Sequence, residues 1–252
     1  MDDSLLLEVV FCIDGTASMG STDIKNGIRI LCGMKGDSKY KLLYGINGIG
    51  ALRTRIIVFR DFRSGKQERA LMGSRFFNTL QETEQWFDMI NFAGGGDTPE
   101  NALEAFYAAM CSEWTQPTPE NRRRIRQVIV IITDSVPFDP SVSVDFARKR
   151  TVDAYPKGMP STMEGLRDLW MKGSNEIPQF SPPCARLVIV APHTDLGRAQ
   201  GVLDWYKVAE MDRTWFIPVN FDGGKMIFTD LMLSDIGEAA SMIAALHPDQ
   251  ED

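Results

Sequence analysis

The chain has 252 residues and a formal net charge of −7, and hydrophobic residues make up 44% of it. Because a chain of this size and composition can bury a full hydrophobic core, we expect a single domain over residues 1–252. The acidic balance argues against general binding to nucleic acid or to an anionic membrane, since both depend on a basic protein surface.

The sequence opens with an apolar strand and a group of polar side chains. The run from Leu5 to Ile13 predicts a buried strand that ends at Asp14. The hydroxyls of Thr16 and Ser18 follow, and a helix is predicted from Asp23 to about Met34. Oxygen atoms grouped in this way suit a hard cation such as Mg²⁺.

Two strands and two helices are predicted in the next part of the chain. They cover Thr54 to Phe59, 74–78, 80–91 and the residues from Pro99 to Met110. The segment Gly94-Gly95-Gly96-Asp97-Thr98 interrupts this pattern, and Pro99 followed by Glu100 is typical of the first turn of a helix. A glycine-rich loop is therefore predicted between the two helices.

The strongest strand signal is the continuous apolar run from Val128 to Thr133, which Asp134 follows directly. Such a run is typical of a strand covered on both faces. Further strands are predicted over 187–191 and 215–219, and helices over 199–210 and 235–246. Strands that alternate with helices indicate an α/β fold with a doubly wound, mainly parallel central sheet flanked by helices.

An irregular insertion is predicted at about 136–183, with seven prolines and one helix from Met163 to Lys172. Long interruptions of this kind in a compact domain are usually functional or disordered. Because the segment leaves the sheet at the same end as Asp134, we expect it to set partner specificity. The alternative is a segment that packs over the edge of the sheet.

Three polar loops are predicted to meet at one edge of the sheet, because the carboxyl ends of parallel strands share an edge. Two carboxylates and three hydroxyls can converge there, from Asp14, Asp134, Thr16, Ser18 and Thr98. Mg²⁺ suits such a set, since it takes an octahedron of oxygen ligands and seldom gives up all its waters.

These residues resemble the metal-ion-dependent adhesion site of the von Willebrand factor A family. That site combines the pattern Asp-x-Ser/Thr-x-Ser with a distant Thr in a glycine-rich loop and a distant Asp after a central strand. The three elements match 14–18, 94–103 and 131–134 in this order, and the resemblance covers about residues 5–246. It implies a Rossmann-like sheet wrapped by helices.

The resemblance also implies a role for each site residue. Thr16, Ser18 and Thr98 would bind the metal directly, while Asp14 and Asp134 would act mostly through water. Asp97 lies beside Thr98 and could replace it as a ligand. Mg²⁺ is the expected ion, with Mn²⁺ or Ca²⁺ as alternatives, and a carboxylate from a partner protein would complete the coordination sphere.

A finer resemblance comes from Phe59-Arg60-Asp61 together with the glycine-rich segment. Both look most like the intracellular branch of the family, which includes the A domains of atypical alpha-kinases and of bacterial stress and conflict systems. Asp61 is a candidate support for the metal loops. The alternative is an ion pair or a turn cap.

We therefore predict a protein without catalytic activity that binds a protein partner through Mg²⁺, as an adaptor or a regulatory subunit of a kinase, phosphatase or ATPase system. A cytoplasmic location is expected, because the four cysteines form no CxxC pair and the amino terminus lacks the basic region of a signal peptide. One alternative is a haloacid-dehalogenase-like phosphotransferase with Asp14 as nucleophile, although Thr16 stands where a second acid is usual. The other is a metal-free scaffold whose acidic edge recruits basic partners.

Overall fold

A computed structural model describes residues 4–35, 38–43, 45–62, 70–95, 99–150, 155–193 and 202–246. Its strands are β1 (Leu5–Asp14), β2 (Ile49–Phe59), β3 (Leu71–Gly73), β4 (Ile125–Ile132), β5 (Ala185–Ala191), β6 (Thr214–Pro218), β7 (Asn220–Asp222) and β8 (Lys225–Ile227). The first six form one sheet in the order β3-β2-β1-β4-β5-β6, and β7 and β8 form a separate hairpin.

The six-stranded sheet is parallel except at one edge. β1 pairs in parallel with β2 and β4, β5 lies between β4 and β6 in the same direction, and only β3 runs antiparallel to its neighbour β2. Asp14 is paired in register with Phe59, and Ile13 with Ile132. The carboxyl ends of β1, β2 and β4 therefore lie side by side, as expected for parallel strands.

Helices cover both faces of the sheet, which confirms the predicted doubly wound α/β fold. They are α1 (Thr22–Leu31), α2 (Leu80–Asp88), α3 (Ala102–Met110), α4 (Pro140–Arg150), α5 (Met163–Lys172), α6 (Trp205–Ala209) and α7 (Asp230–Ala244). Side chains alternate across β1, so that Val9 and Phe11 face α1, α2 and α7 while Val10 and Cys12 face the helices on the other side. No helix in these ranges is long and apolar enough to cross a membrane.

Four predictions about helices need correction. Among the described residues, α6 begins at Trp205 where a helix was predicted over 199–210, and α7 begins at Asp230 where one was predicted over 235–246. α3 begins at Ala102 and not at Pro99, because Glu100 forms an isolated parallel bridge with Pro137 that holds the chain extended there. The insertion predicted at 136–183 contains α4 as well as the predicted α5. The first half of α4 alternates serine with β-branched valine, and both residue types have low helix propensity.

One prediction about strands is also wrong, and one hairpin was missed. The strand predicted over 74–78 is wrong, because the strand that pairs with β2 is β3, and Phe77 makes only an isolated bridge with Thr54. The β7–β8 hairpin was not predicted, although a Gly-Gly pair between two strands is a common hairpin signal. Gly223 and Gly224 at its turn have positive φ angles of 53° and 74°.

Candidate functional site

Asp14 is the last residue of β1 and lies at the carboxyl edge of the sheet, between the ends of β2 and β4. Its side chain is fully buried. The oxygen Oδ1 accepts a hydrogen bond from the backbone N–H of Thr16 at 2.9 Å, and Oδ2 accepts one from the Thr133 hydroxyl at 2.7 Å. The carboxylate is therefore fixed between the loop after β1 and the loop after β4.

Burial has the largest effect on the charge state of Asp14. Loss of contact with water raises its pKa from 3.8 to about 6, and repulsion from the charge of Asp134 adds to the rise. The hydrogen bonds from Thr133 and Thr16 lower the pKa, because they stabilise the ionised carboxylate. A positive charge at this edge would favour the ionised form further.

The hydroxyl oxygens of Thr16 and Ser18 lie 2.9 Å apart. Thr16 is only 3% exposed, whereas Ser18 is exposed at the surface. Two oxygens on neighbouring corners of a Mg²⁺ octahedron lie about 3 Å apart, because each is roughly 2.1 Å from the metal. The two hydroxyls therefore fit adjacent ligand positions of one Mg²⁺ ion.

The glycine-rich loop is hydrogen-bonded to the loop after β1. The N–H of Ala17 donates to the carbonyl of Gly94 at 3.0 Å. Gly95 has a φ angle of 74°, and a Cβ atom at this position would lie 2.8 Å from the Cβ of Thr16. Only glycine allows both this backbone conformation and so close an approach to Thr16.

Thr98 and Asp97 lie outside the described residues, so their predicted ligand roles stay predictions. The described chain resumes directly after them, and the N–H of Glu100 donates to the carbonyl of Val136 at 3.0 Å. The described residues before and after this gap are thus hydrogen-bonded to different loops: Gly94 to the loop after β1 and Glu100 to the loop after β4.

Asp134 follows β4 by two residues and is half-buried. The residues on either side of Asp134 are hydrogen-bonded to each other and to Asp14. The Thr133 hydroxyl donates to Asp14 and accepts from the N–H of Ser135 at 3.1 Å. Repulsion from the charge of Asp134 raises the pKa of Asp14, so the two carboxylates are close enough to interact. Four of the predicted site residues therefore lie at one edge of the sheet: Asp14, Thr16, Ser18 and Asp134.

Two buried charged residues at this edge were not among the predicted site residues. Arg60 comes directly after β2, is 8% exposed and donates from Nε to the carbonyl of Gly15 at 3.0 Å. Glu100 is buried, and its Oε1 lies 3.4 Å from the position that a Cβ on Gly95 would take. A charged residue directly after an apolar strand is the signal that could have identified Arg60. Asp61 is also buried at this end of β2, and its supporting role stays a prediction.

The donor atoms at this edge fit Mg²⁺ better than a softer metal. Within the described ranges, no group of three or more His, Cys, Asp or Glu side chains is placed to hold a metal ion. The predicted set is of another kind, because hydroxyl oxygens accompany its carboxylates. Oxygen ligands of these types are preferred by Mg²⁺ and Ca²⁺, whereas structural zinc sites use mainly Cys and His.

The insertion predicted at 136–183 packs against the start of α3. The side-chain amide of Asn101 donates to the Ser143 hydroxyl in α4 at 3.3 Å, and the Tyr155 hydroxyl donates to the Glu104 carboxylate at 2.8 Å. Burial raises the pKa of Glu104. These contacts connect the insertion to the helix that follows the glycine-rich segment.

No protein-family model matches the chain, and no curated protein matches it. Among solved structures, the pilus adhesin SpaC from Lactobacillus rhamnosus GG aligns with a TM-score of 0.47 and 11% sequence identity, over 95% of this chain and 31% of the adhesin. Proximal thread matrix protein 1 from the mussel byssus aligns with a TM-score of 0.40 and 12% identity, over 96% of this chain and 46% of that protein. The chain spans less than half the length of either protein.

Proposed function

We propose that this chain is a von Willebrand factor A-type domain that binds Mg²⁺ at the carboxyl edge of its sheet and, through the ion, a carboxylate of a partner protein. The observation that carries the proposal is the 2.9 Å separation of the Thr16 and Ser18 hydroxyl oxygens beside the buried carboxylate of Asp14. Mn²⁺ and Ca²⁺ are alternative ions. Bound at these residues, Mg²⁺ would supply an electrophilic centre that keeps positions for ligands from outside the chain.

The exposure of the four described residues supports binding to an external group. Asp14 and Thr16 are buried, Asp134 is half-buried and Ser18 is exposed. One part of the site is therefore held inside the protein, and the other part is open to solvent. A structural metal site, by contrast, is usually closed by ligands from its own chain.

The surroundings of Asp14 argue against the phosphotransferase alternative. A nucleophilic aspartate needs a carboxylate oxygen that can reach phosphorus. Both oxygens of Asp14 are instead buried and accept hydrogen bonds from Thr16 and Thr133. We therefore propose a binding role without catalytic activity.

We further propose that the protein acts in the cytoplasm, as an adaptor or a regulatory subunit of a kinase, phosphatase or ATPase system. All four cysteines are free thiols, and Cys12, Cys32 and Cys184 are buried. Free thiols are typical of a reducing compartment. The net charge of −7 supports a protein partner over nucleic acid or an anionic membrane.

Isothermal titration with Mg²⁺ and Mn²⁺ tests the metal site. We expect the wild type to bind, and Asp14→Ala to lose binding while it remains folded. Asp145→Ala is the matched control, because Asp145 is an exposed aspartate on α4 that pairs with Lys149, and it should bind like the wild type. If the wild type binds no cation at millimolar concentration, the metal site is wrong and the metal-free scaffold takes its place.

Affinity capture with and without a chelator tests the role of the ion in partner binding. We expect chelator to release the partner, and Thr98→Ala and Asp134→Ala to lose it while their circular dichroism spectra stay like the wild type. Loss of folding in both variants would contradict the interpretation of these residues as ligands. A partner that stays bound in chelator would contradict binding through the metal.

A further inference from the structure

Arg60 connects two loops of the proposed metal site. Its Nε donates to the carbonyl of Gly15, in the loop after β1, at 3.0 Å. Its Nη2 donates to the carbonyl of Asn91, at the start of the glycine-rich loop. One buried guanidinium therefore bridges the chain before Thr16 and the chain before Gly95.

The sequence at Gly15 makes this contact possible. A Cβ atom at Gly15 would lie 3.1 Å from Cζ of Arg60 and 2.4 Å from Cγ1 of Val58. The Gly15 carbonyl also accepts a hydrogen bond from the N–H of Ala93 at 3.0 Å, so two donors from different parts of the chain meet at one oxygen. Any larger residue at position 15 would push these groups apart.

The chemistry of arginine fits this bridge better than that of lysine. A guanidinium has five N–H donors in a rigid, planar arrangement and can bind two carbonyls at once, whereas a lysine ammonium is a single point charge on a flexible stem. The positive charge of Arg60 is also attracted by the carboxylate of Asp14. Arg60 thus holds the two carbonyls in a fixed arrangement and places a positive charge near the buried carboxylate of Asp14.

We infer that Arg60 is a positioning residue, which holds the glycine-rich loop against the Thr16–Ser18 loop in the arrangement that binds Mg²⁺. The inference rests on the proposed function. Arg60 acts through backbone carbonyls of the two loops and not as a ligand of the ion. Residues that orient metal ligands in this indirect way commonly change metal affinity about 10- to 100-fold when they are replaced.

Titration of the full chain with Mg²⁺ tests the inference. We expect the Mg²⁺ affinity to fall about 10- to 100-fold in Arg60→Gln and to stay well below the wild type in Arg60→Lys, which keeps the charge but not the bridge. Arg55→Lys is the matched control, because Arg55 is a half-buried arginine in β2 itself, and it should bind within about twofold of the wild type. If Arg60→Gln does not fold, Arg60→Lys decides.

Amide hydrogen exchange without metal gives a second readout that does not depend on the ion. The N–H groups of Ala17 and Ala93 form the hydrogen bonds between the two loops, and we expect them to exchange about tenfold faster in the Arg60 variants than in Arg55→Lys. If affinity falls while exchange is unchanged, Arg60 does not act by holding the two loops together, and the inference is overturned. It is also overturned if exchange rises while the affinity does not change, or if neither changes.

The two readouts separate this inference from the proposed function. If the wild type binds no Mg²⁺ but the Arg60 variants exchange faster at Ala17 and Ala93, the proposed metal site is wrong. Arg60 then still positions the loops, and only its effect on Mg²⁺ is overturned.

Discussion

The amino ends and the carboxyl ends of the parallel strands form the amino edge and the carboxyl edge of the sheet. Charged side chains are buried at both edges, but their roles differ. At the amino edge, Arg126 and Arg186 extend from the starts of β4 and β5 and donate to the carbonyls of residues 242–245 at the end of α7. At the carboxyl edge, the hydroxyls of Thr16 and Ser18 are hydrogen-bonded to each other, and Ser18 is exposed. The arginines at the amino edge form hydrogen bonds within the chain, whereas the hydroxyls at the carboxyl edge lie within reach of an external group.

A buried charge in a strand therefore does not by itself identify a binding site. Glu8 is buried in β1 and has its hydrogen-bond donors within the chain. Arg53 donates to its carboxylate, and so do the N–H and hydroxyl of Thr115, both at 2.9 Å. The Glu8 carboxylate therefore has a structural role inside the fold. The carboxyl edge differs because its polar atoms lie on loops and reach the surface.

The largest expected effect is at the amino edge. Arg126→Ala should lower the free energy of unfolding by about 3 kcal/mol, because it leaves the buried carbonyl of Ile243 without this donor, which costs about 1–3 kcal/mol, and also removes the packing of a fully buried side chain. Urea denaturation measures the change. Arg123→Ala, at an exposed arginine nearby, should cost less than about 1 kcal/mol.

The same variant also tests the separation of the two edges. Folded Arg126→Ala should bind Mg²⁺ within about twofold of the wild type, because distant sites with no shared partners behave independently. A large loss of Mg²⁺ affinity in this variant would mean that the two edges are coupled and would contradict their separate roles.

The order of strands and helices could be predicted from the sequence because the central strands are continuous apolar runs. β4 and β5 are buried at every residue, and both were predicted within three residues of their bounds. β2 begins earlier than predicted, at Ile49, because its first half contains the charged Arg53, and the contacts that partly bury Arg53 exist only in the folded chain. Patterns of hydrophobicity do not contain such contacts.

The site was predictable where its geometry is local and not where it depends on the fold. Asp14, Thr16 and Ser18 lie within five residues of sequence, so their spacing alone indicates a group of oxygens. The partners of Arg60 are backbone carbonyls 45 and 31 residues away in sequence, and any residue type can offer a carbonyl. No motif therefore marks the bridge in the sequence.

A second, smaller effect concerns pH at the carboxyl edge. Without divalent metal, the folded state binds the proton of Asp14 more tightly than the unfolded state, because burial raises the pKa from 3.8 to about 6. The ionised carboxylate therefore destabilises the fold above pH 6, and this cost disappears as the pH falls towards 4. Asp14→Asn has no such group to titrate.

Urea denaturation of wild type and Asp14→Asn at several pH values measures this effect. The stability of the wild type relative to the variant should increase by about 2 kcal/mol as the pH falls from 7 to 4. A difference that stays constant over this range would contradict the buried, shifted carboxylate. Saturating Mg²⁺ should remove most of the dependence above pH 6, because a cation stabilises the ionised form.

The smallest expected effect separates the ligand role of the hydroxyls from their role in the fold. Thr16→Val keeps the shape of the side chain but removes one of the two oxygens that lie 2.9 Å apart, so the Mg²⁺ affinity should fall about tenfold, or about 1.4 kcal/mol. The free energy of unfolding should change by less than about 1.5 kcal/mol, since Ser18, which is hydrogen-bonded to the Thr16 hydroxyl, is exposed and can bond to water instead. Thr16→Ser is the matched control, because it keeps the oxygen and loses only the methyl group beside Gly95. If the valine and serine variants bind Mg²⁺ equally well, the hydroxyl is not a ligand, and the carboxyl edge would differ from the amino edge only in its exposure.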